Sequence, residues 1–215
     1  VSPPSNLRLQ SNSPSRFASD VTTDLGPLPY VADATPGLYG TLWTNTTLTA
    51  AGSPYAVAGD LTVGNGVTLT INPGVTLTFA TTDIMGAGLD TSRGELRVTG
   101  SLVANGTTAQ PITLTSNGAA ANAWYGVNLL PSATSTSVQF VNIDKANYGL
   151  YYQATAASIT VHGCTLSTSN YGVYVTSPGS ILDAITASGN GTGVYYTGGA
   201  GGTLSNAVIK NSTNL

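Results

Sequence analysis

The only histidine of the chain, His162, stands 21 residues ahead of Asp183, and Asn206 follows 23 residues after that. A histidine beside a carboxylate is a proton-moving arrangement, because the carboxylate orients the ring while its other nitrogen accepts or donates. The same residues suit a polar pair buried or held at a turn corner, with Asn206 stacked on it. A second set, Asp60, Asp90, Glu95 and Arg97, is the densest charged patch, Arg93 and Arg97 flanking Glu95. It reads either as a small charged site or as a salt-bridged, solvated loop. The third set is Tyr151, Tyr174 and Tyr195, with Asn128 at the corresponding place one repeat earlier. Flat rings with a hydroxyl edge suit a sugar or a protein partner, and they also suit a ladder that braces neighbouring strands. The single Cys164 excludes an intramolecular disulfide and a cysteine-rich metal site, and is read as a core residue. No metal set and no cofactor motif is present, so none is expected.

These residues depend on a repeat for their placement. The segments YGVNL (125–129), YGLYY (148–152), YGVYV (171–175) and TGVYY (192–196) set Gly126, Gly149, Gly172 and Gly193 at spacings of 23, 23 and 21. A period of that size marks a solenoid, each repeat adding one layer to a continuous core. Counting from the glycines, Val127, Leu150, Val173 and Val194 form one inward column, and Leu129, Tyr152, Val175 and Tyr196 another. Asn128, Tyr151, Tyr174 and Tyr195 then point outward. A second register aligns Ile143, Cys164, Ile185 and Val208 as inward residues. Two positions before them stand Val141, His162, Asp183 and Asn206, which places His162 and Asp183 one coil apart.

GDLTVGNGVTLTINPGVTLTFA (59–80) holds three strand-like runs between Gly-Asn-Gly and Asn-Pro-Gly turns, and GELRVTGSLVANGTTAQPITLTS (94–116) repeats it. No segment sustains a helical period. The fold predicted is all-β, a right-handed parallel β-helix over 59–215. A Pro/Ser-rich arm is expected over 1–30, an N-terminal cap over 31–58, and a bulging loop over 80–93. Because 202–215 matches 179–192, with Leu215 in the place of Thr192, the last coil is read as incomplete, which fits either a piece of a longer protein or an edge that another subunit covers.

Only 7% of residues are charged while 41% are hydrophobic, so the apolar alternation supports a packed core. A net charge of −3 with six Lys and Arg excludes the basic stripe that nucleic acid needs. No apolar run is long enough to span a bilayer. The polar, Lys-poor composition and the N-terminus VSPPSN point to an extracellular or cell-surface location. Sequons fall at Asn45, Asn105, Asn190 and Asn211.

The runs GDLTV…GVTLTINPGVTLTF and GSLVANGTTAQPITLTS resemble those of extracellular right-handed parallel β-helix proteins of the pectin-lyase-like type, especially bacterial surface proteins. The resemblance covers about 59–215 and implies the fold, which hosts lyases, hydrolases, adhesins and fibres alike. Lyase chemistry in that group uses clustered acidic Ca²⁺ ligands with an Arg or Lys base, and the scattered acids here match no such motif. The expectation is therefore a non-catalytic structural or adhesive protein, such as a fibre or surface-layer subunit. Its partners would be further copies of itself or other surface proteins, with glycans as a further candidate. A carbohydrate-active enzyme or glycan-binding module is the rival.

Overall fold

Runs such as TLTI, TLTF and ITLTS alternate β-branched polar residues with aliphatic ones, a pattern that buries one face of a strand and exposes the other. A computed structural model describes residues 38–156 and 158–214, and these runs are strands throughout. The first coil comprises β1 (Leu38–Leu42), β2 (Thr46–Leu48) and β3 (Tyr55–Val63), and the second β4 (Thr68–Ile71), β5 (Thr76–Phe79) and β6 (Glu95–Val98). Next come β7 (Ser101–Asn105), β8 (Ile112–Ser116) and β9 (Trp124–Leu129), then β10 (Ser137–Gln139), β11 (Val141–Asp144) and β12 (Ala146–Tyr152). The fifth coil is β13 (Thr160–His162), β14 (Thr165–Ser167) and β15 (Tyr171–Val175), and the sixth β16 (Ser180–Asp183), β17 (Thr186–Ser188) and β18 (Thr192–Tyr196). Strands β19 (Gly202–Ser205) and β20 (Val208–Lys210) follow.

Every pairing between these strands is parallel, and all but that of β1 with β3 join one coil to the next. Three faces result. The first stacks β2, β4, β7, β10, β13, β16 and β19, and the second runs from β5 through β8, β11, β14 and β17 to β20. The third stacks β3, β6, β9, β12, β15 and β18, with β1 pairing β3 at its start. Strand β3 turns the corner, its first residues pairing β5 and its last pairing β6. This is the parallel β-helix that the repeat predicts. Its pairing begins at Leu38, inside the stretch expected as a cap, while the arm expected over 1–30 lies outside the described residues.

Both inward columns read from the glycines hold: Val127, Leu150 and Val173 align, as do Leu129, Tyr152 and Val175, and all six are buried. The other register slips. Gln139, not Val141, precedes His162, and Ser205, not Asn206, follows Asp183. Thr186 pairs with Val208, which is thus exposed, and Asn214 stands opposite Thr192 where Leu215 was expected. The reason lies at the corners. Between the first two faces the chain bends at a single left-handed residue, Phe140, Gly163, Ala184 and Asn206 in successive coils, with φ of 49°, 65°, 53° and 51°. Between the second and third faces Lys145, Thr168, Gly189 and Asn211 do the same. A corner of one residue has no composition of its own, so alignment by residue type slides across it.

The corners also carry the buried polar contacts. Asn190 is buried, accepting the Ser169 N–H at 3.0 Å and donating to the Leu166 carbonyl at 3.0 Å, while the Ser169 hydroxyl accepts the Ala146 N–H at 3.1 Å. Its sequon is therefore closed to glycosylation in the folded chain. Inside, Trp124 stacks on Phe79 with centroids 4.1 Å apart and donates its indole N–H to the Asp144 carbonyl at 2.7 Å.

The glycine column is a packing requirement. A Cβ on Gly172 would stand 2.4 Å from the Gly193 carbonyl oxygen, and one on Gly149 would stand 2.6 Å from that of Gly172. Gly172→Ala is therefore expected to cost about 1–3 kcal/mol through overpacking against backbone that has no slack. Urea denaturation checks this, and an unchanged midpoint would show that the coils separate freely.

Candidate functional site

On the outside of the third face, Tyr151, Tyr174 and Tyr195 lie in one column in register, as the repeat predicts. Tyr151 and Tyr174 are half-buried and Tyr195 is 44% exposed. Their rings are 5.2 Å apart, edge to face between Tyr151 and Tyr174 and stacked between Tyr174 and Tyr195.

A second row escaped the sequence reading. Tyr148 and Tyr171 are paired neighbours with rings stacked at 5.2 Å, and Tyr125 meets Tyr148 edge to face at 5.4 Å. Tyr148 also lies 5.0 Å from both Tyr151 and Tyr174, so the two rows form one aromatic surface. Strict alternation puts Tyr148 on the same side as Leu150, which is inward. The pairing shifts between Tyr148 and Leu150, and Gly126 in the neighbouring strand has φ of 125°, so the parity changes there. The signal was visible in the Tyr-Gly dipeptide of three successive repeats.

Asn128 departs from expectation. It keeps its register opposite Arg97 and Tyr151 but is wholly buried, its side-chain amide donating to Glu95 Oε2. It belongs to a charged nest and not to a contact surface, because the desolvated Glu95 carboxylate needs a donor beside it.

That nest is the patch of Asp60, Glu95, Arg97 and Asp90, and it is not a solvated loop. Glu95 is wholly buried and Asp60 nearly so. The Glu95 N–H donates to Asp60 Oδ1 at 3.1 Å, and Glu95 Oε1 accepts the Leu89 N–H. The 80–93 loop folds over both. Asp83 fastens it by accepting the N–H groups of Asp60, Met85 and Ala87 at 2.9–3.1 Å. A Cβ on Gly88 would fall within 2.5 Å of both Glu95 Oε1 and Asp60 Oδ2, so only glycine lets the loop backbone come this close. Asp90 pairs with Arg93, whose guanidinium also donates to the Asn122 carbonyl and lies 5.7 Å from the Tyr125 ring centre. Arg97 is 3.6 Å from Glu95. Asp60 Oδ2 and Asn128 Oδ1 have no hydrogen-bond partner among the described residues.

Burial, with the charges of Glu95 and Asp83 adding to it, raises the Asp60 carboxyl to about 7. Burial also raises Glu95, against the pull of the Leu89 N–H and Arg97. Burial works in the same direction at Asp90, but the hydrogen bonds from Arg93 and Ser92 outweigh it and hold that group at about 2. The nest thus holds two carboxyls that favour a proton beside one that stays ionised.

His162 and Asp183 meet as the sequence suggests, Nδ1 to Oδ2 at 2.9 Å, on the outside of the first face. Ser205 and Asn206 both donate to Asp183 Oδ1, at 2.7 and 2.8 Å, and together with the imidazole they hold Asp183 at about 2. Asn206 reaches the pair from its left-handed corner and not by stacking on it. Phe140 packs edge-on against the imidazole at 5.4 Å. Both oxygens of Asp183 are engaged by neighbouring coils, as a strand-to-strand tie would be. Cys164 is buried, as expected of a core residue, and burial raises its thiol to about 11.

The family profile of the pectate-lyase like beta helix domain matches residues 40–159, more than half of the chain. The chain belongs to this family. The match runs from within β1 to beyond β12, and so includes the charged nest and the start of the tyrosine surface. No curated protein and no solved structure matches the chain. Among the described residues no group of three or more His, Cys, Asp or Glu is placed to hold a metal ion, and no helix is long and apolar enough to cross a membrane.

The nest makes stability depend on pH in a stated direction. A carboxyl raised to about 7 on folding keeps a proton that the unfolded chain loses near pH 3.8. Its contribution is complete below that lower value and disappears as pH rises through the upper one. Glu95 acts with the same sign. The thermal midpoint is therefore expected to fall from about pH 5 to about pH 8, and to fall less steeply in Asp60→Asn, where Glu95 still contributes. Thermal scans across that range check it, and an equal slope in the variant would place the proton elsewhere.

Proposed function

We propose that this β-helix is a non-catalytic structural or adhesive module displayed outside the cell, with the tyrosine surface of its third face as the contact surface. The observation that carries this reading is the aromatic surface itself. Six tyrosines gather on one side of a solenoid whose densest charged set is shut beneath a loop. Tyr and Trp recur at protein contacts because they offer large, stiff, partly polar area at small entropic cost. The loop residues Ile84, Met85 and Leu89 are exposed as well. Extracellular display is supported by membership of a family often found there and by the low-charge composition.

The rival, a carbohydrate-active enzyme or glycan-binding module, draws on one specific observation. Asp60 near neutrality beside Glu95 and Arg97 is the kind of tuned carboxyl that acid–base catalysis uses. Against it stands access: both carboxyls are buried, and the backbone of Gly88 and Leu89 occupies the approach.

The full chain, incubated with a panel of neutral and acidic polysaccharides, is expected to release no new reducing ends and no unsaturated products. Depolymerisation that disappears in Glu95→Gln would overturn the non-catalytic reading. For the contact surface, the full chain is expected to associate with rising concentration in sedimentation velocity, and Tyr151→Ser/Tyr174→Ser to abolish that association. Association of equal strength in that variant would move the contact to another face.

A further inference from the structure

The stacked tyrosines suit a covalent chemistry that contact alone does not require. Tyr174 and Tyr195 are direct partners across β15 and β18, their rings 5.2 Å apart and only 24° from parallel. Tyr148 and Tyr171 repeat that arrangement across β12 and β15, at 5.2 Å and 19°. In such a pair the two side chains leave their strands in the same direction, so the phenol ends and the ring carbons beside the hydroxyls lie alongside one another. The edge-to-face pairs Tyr151–Tyr174 and Tyr125–Tyr148 instead turn the edge of one ring to the face of the other. All these rings lie within 5.0–6.0 Å of a neighbour, so a radical formed on one has an adjacent phenol to pass to.

We propose that the third face is a site of oxidative tyrosine coupling, with Tyr174 and Tyr195 as the preferred pair and Tyr148 and Tyr171 as the second. The oxidant is a peroxide acting through a haem peroxidase. Each phenol gives up one electron and one proton, and the two radicals join through a new bond between their ortho carbons. The hydrogens displaced from those carbons move to the oxygens and restore both phenols. The two electrons and two protons reduce one hydrogen peroxide to two waters. Tyr195, 44% exposed, is open to the oxidant, and the strand pairing holds Tyr174 beside it, so the bond forms within one molecule. It would tie the fifth coil to the sixth and resist their separation. The inference rests on ring geometry alone and stands whether or not this face also binds a partner.

The test treats the dilute full chain with a haem peroxidase and hydrogen peroxide, and follows dityrosine fluorescence and intact mass. A monomer lighter by two hydrogens is expected, with peptide mapping joining the segments that contain Tyr174 and Tyr195, and with a raised thermal midpoint. The joined peptide is expected to be lost in Tyr195→Phe, to persist in Tyr39→Phe, and to be absent when the chain is treated in denaturant. Circular dichroism confirms that Tyr195→Phe keeps its strands; should it not, Tyr174→Phe replaces it. The proposal is overturned by coupling that is as efficient in denaturant, by products that are only intermolecular, or by a map that scatters the link among unpaired tyrosines.

Discussion

Each strand here hands its backbone N–H and C=O groups to the coils before and after it, and that parallel, in-register hydrogen bonding is the constraint from which the remaining features follow. A chain with no α-helix among its described residues and few charges has no other way to satisfy its buried backbone. Once the coils are locked about 4.8 Å apart, equivalent residues must stack, and every choice at one position is repeated above and below. Aliphatic columns inside, threonines outside and glycines where two backbones touch are consequences of that repetition. The corners obey it too. One left-handed residue at each of two corners lets the chain change face without interrupting the register, and buried Ser169 and Asn190 cap the backbone groups exposed there.

The same constraint explains why the charged groups sit where they do. The loop over 80–93 is the largest interruption of the stack, and it is where Asp60, Glu95 and Asp90 gather. A loop leaving a β-helix must satisfy its own N–H groups, and carboxylates of the loop and of the adjoining strand supply the acceptors. Glu95 receives the Leu89 N–H, and Asp83 receives those of Met85 and Ala87 together with that of Asp60 from β3. The energetic consequence is desolvation, which raises Asp60 and Glu95, and the buried Asn128 amide offsets part of it at Glu95. A structural role for the nest therefore accounts for its unusual protonation without recourse to catalysis.

The sequence made the fold legible because the glycine period and the alternation report the same stacking from two directions. The register of the third face was read correctly from Val127 to Tyr195, since Gly126, Gly149, Gly172 and Gly193 anchor it in four successive coils. The first face has no such anchor. There the register slipped, and Gln139 and Ser205 were missed in favour of Val141 and Asn206. The pairing of His162 with Asp183 survived because no error separated those two coils. What pattern reading lacked was the third dimension of the loop. Asn128 shares a column with exposed tyrosines, and only the loop-covered Glu95 beside it explains why it is buried. Tyr148 and Tyr171 were missed for the opposite reason, a parity change beside a glycine that strict alternation does not allow.

Whether a ladder of identical side chains serves the fold or a partner is often posed as a choice, and the energetics here argue against posing it so. An aromatic pair contributes about 0.5–1.5 kcal/mol beyond its buried area, so stacked tyrosines brace the coils whatever else they do. That bracing is strongest where rings are sandwiched, as Tyr148 and Tyr174 are, and weakest at Tyr195, where much of the ring stays exposed. The exposed remainder is area that a partner would cover at little further entropic cost, because the ladder has already restricted the side chains. The His162–Asp183 ladder differs in this respect. Its hydrogen bonds are directed at its own neighbours, and Asp183 is satisfied by Ser205, Asn206 and His162 together. Two outer columns built by the same stacking thus diverge in what they leave over, closed hydrogen bonds on the first face and open ring surface on the third, and it is the third that has capacity for an outside contact.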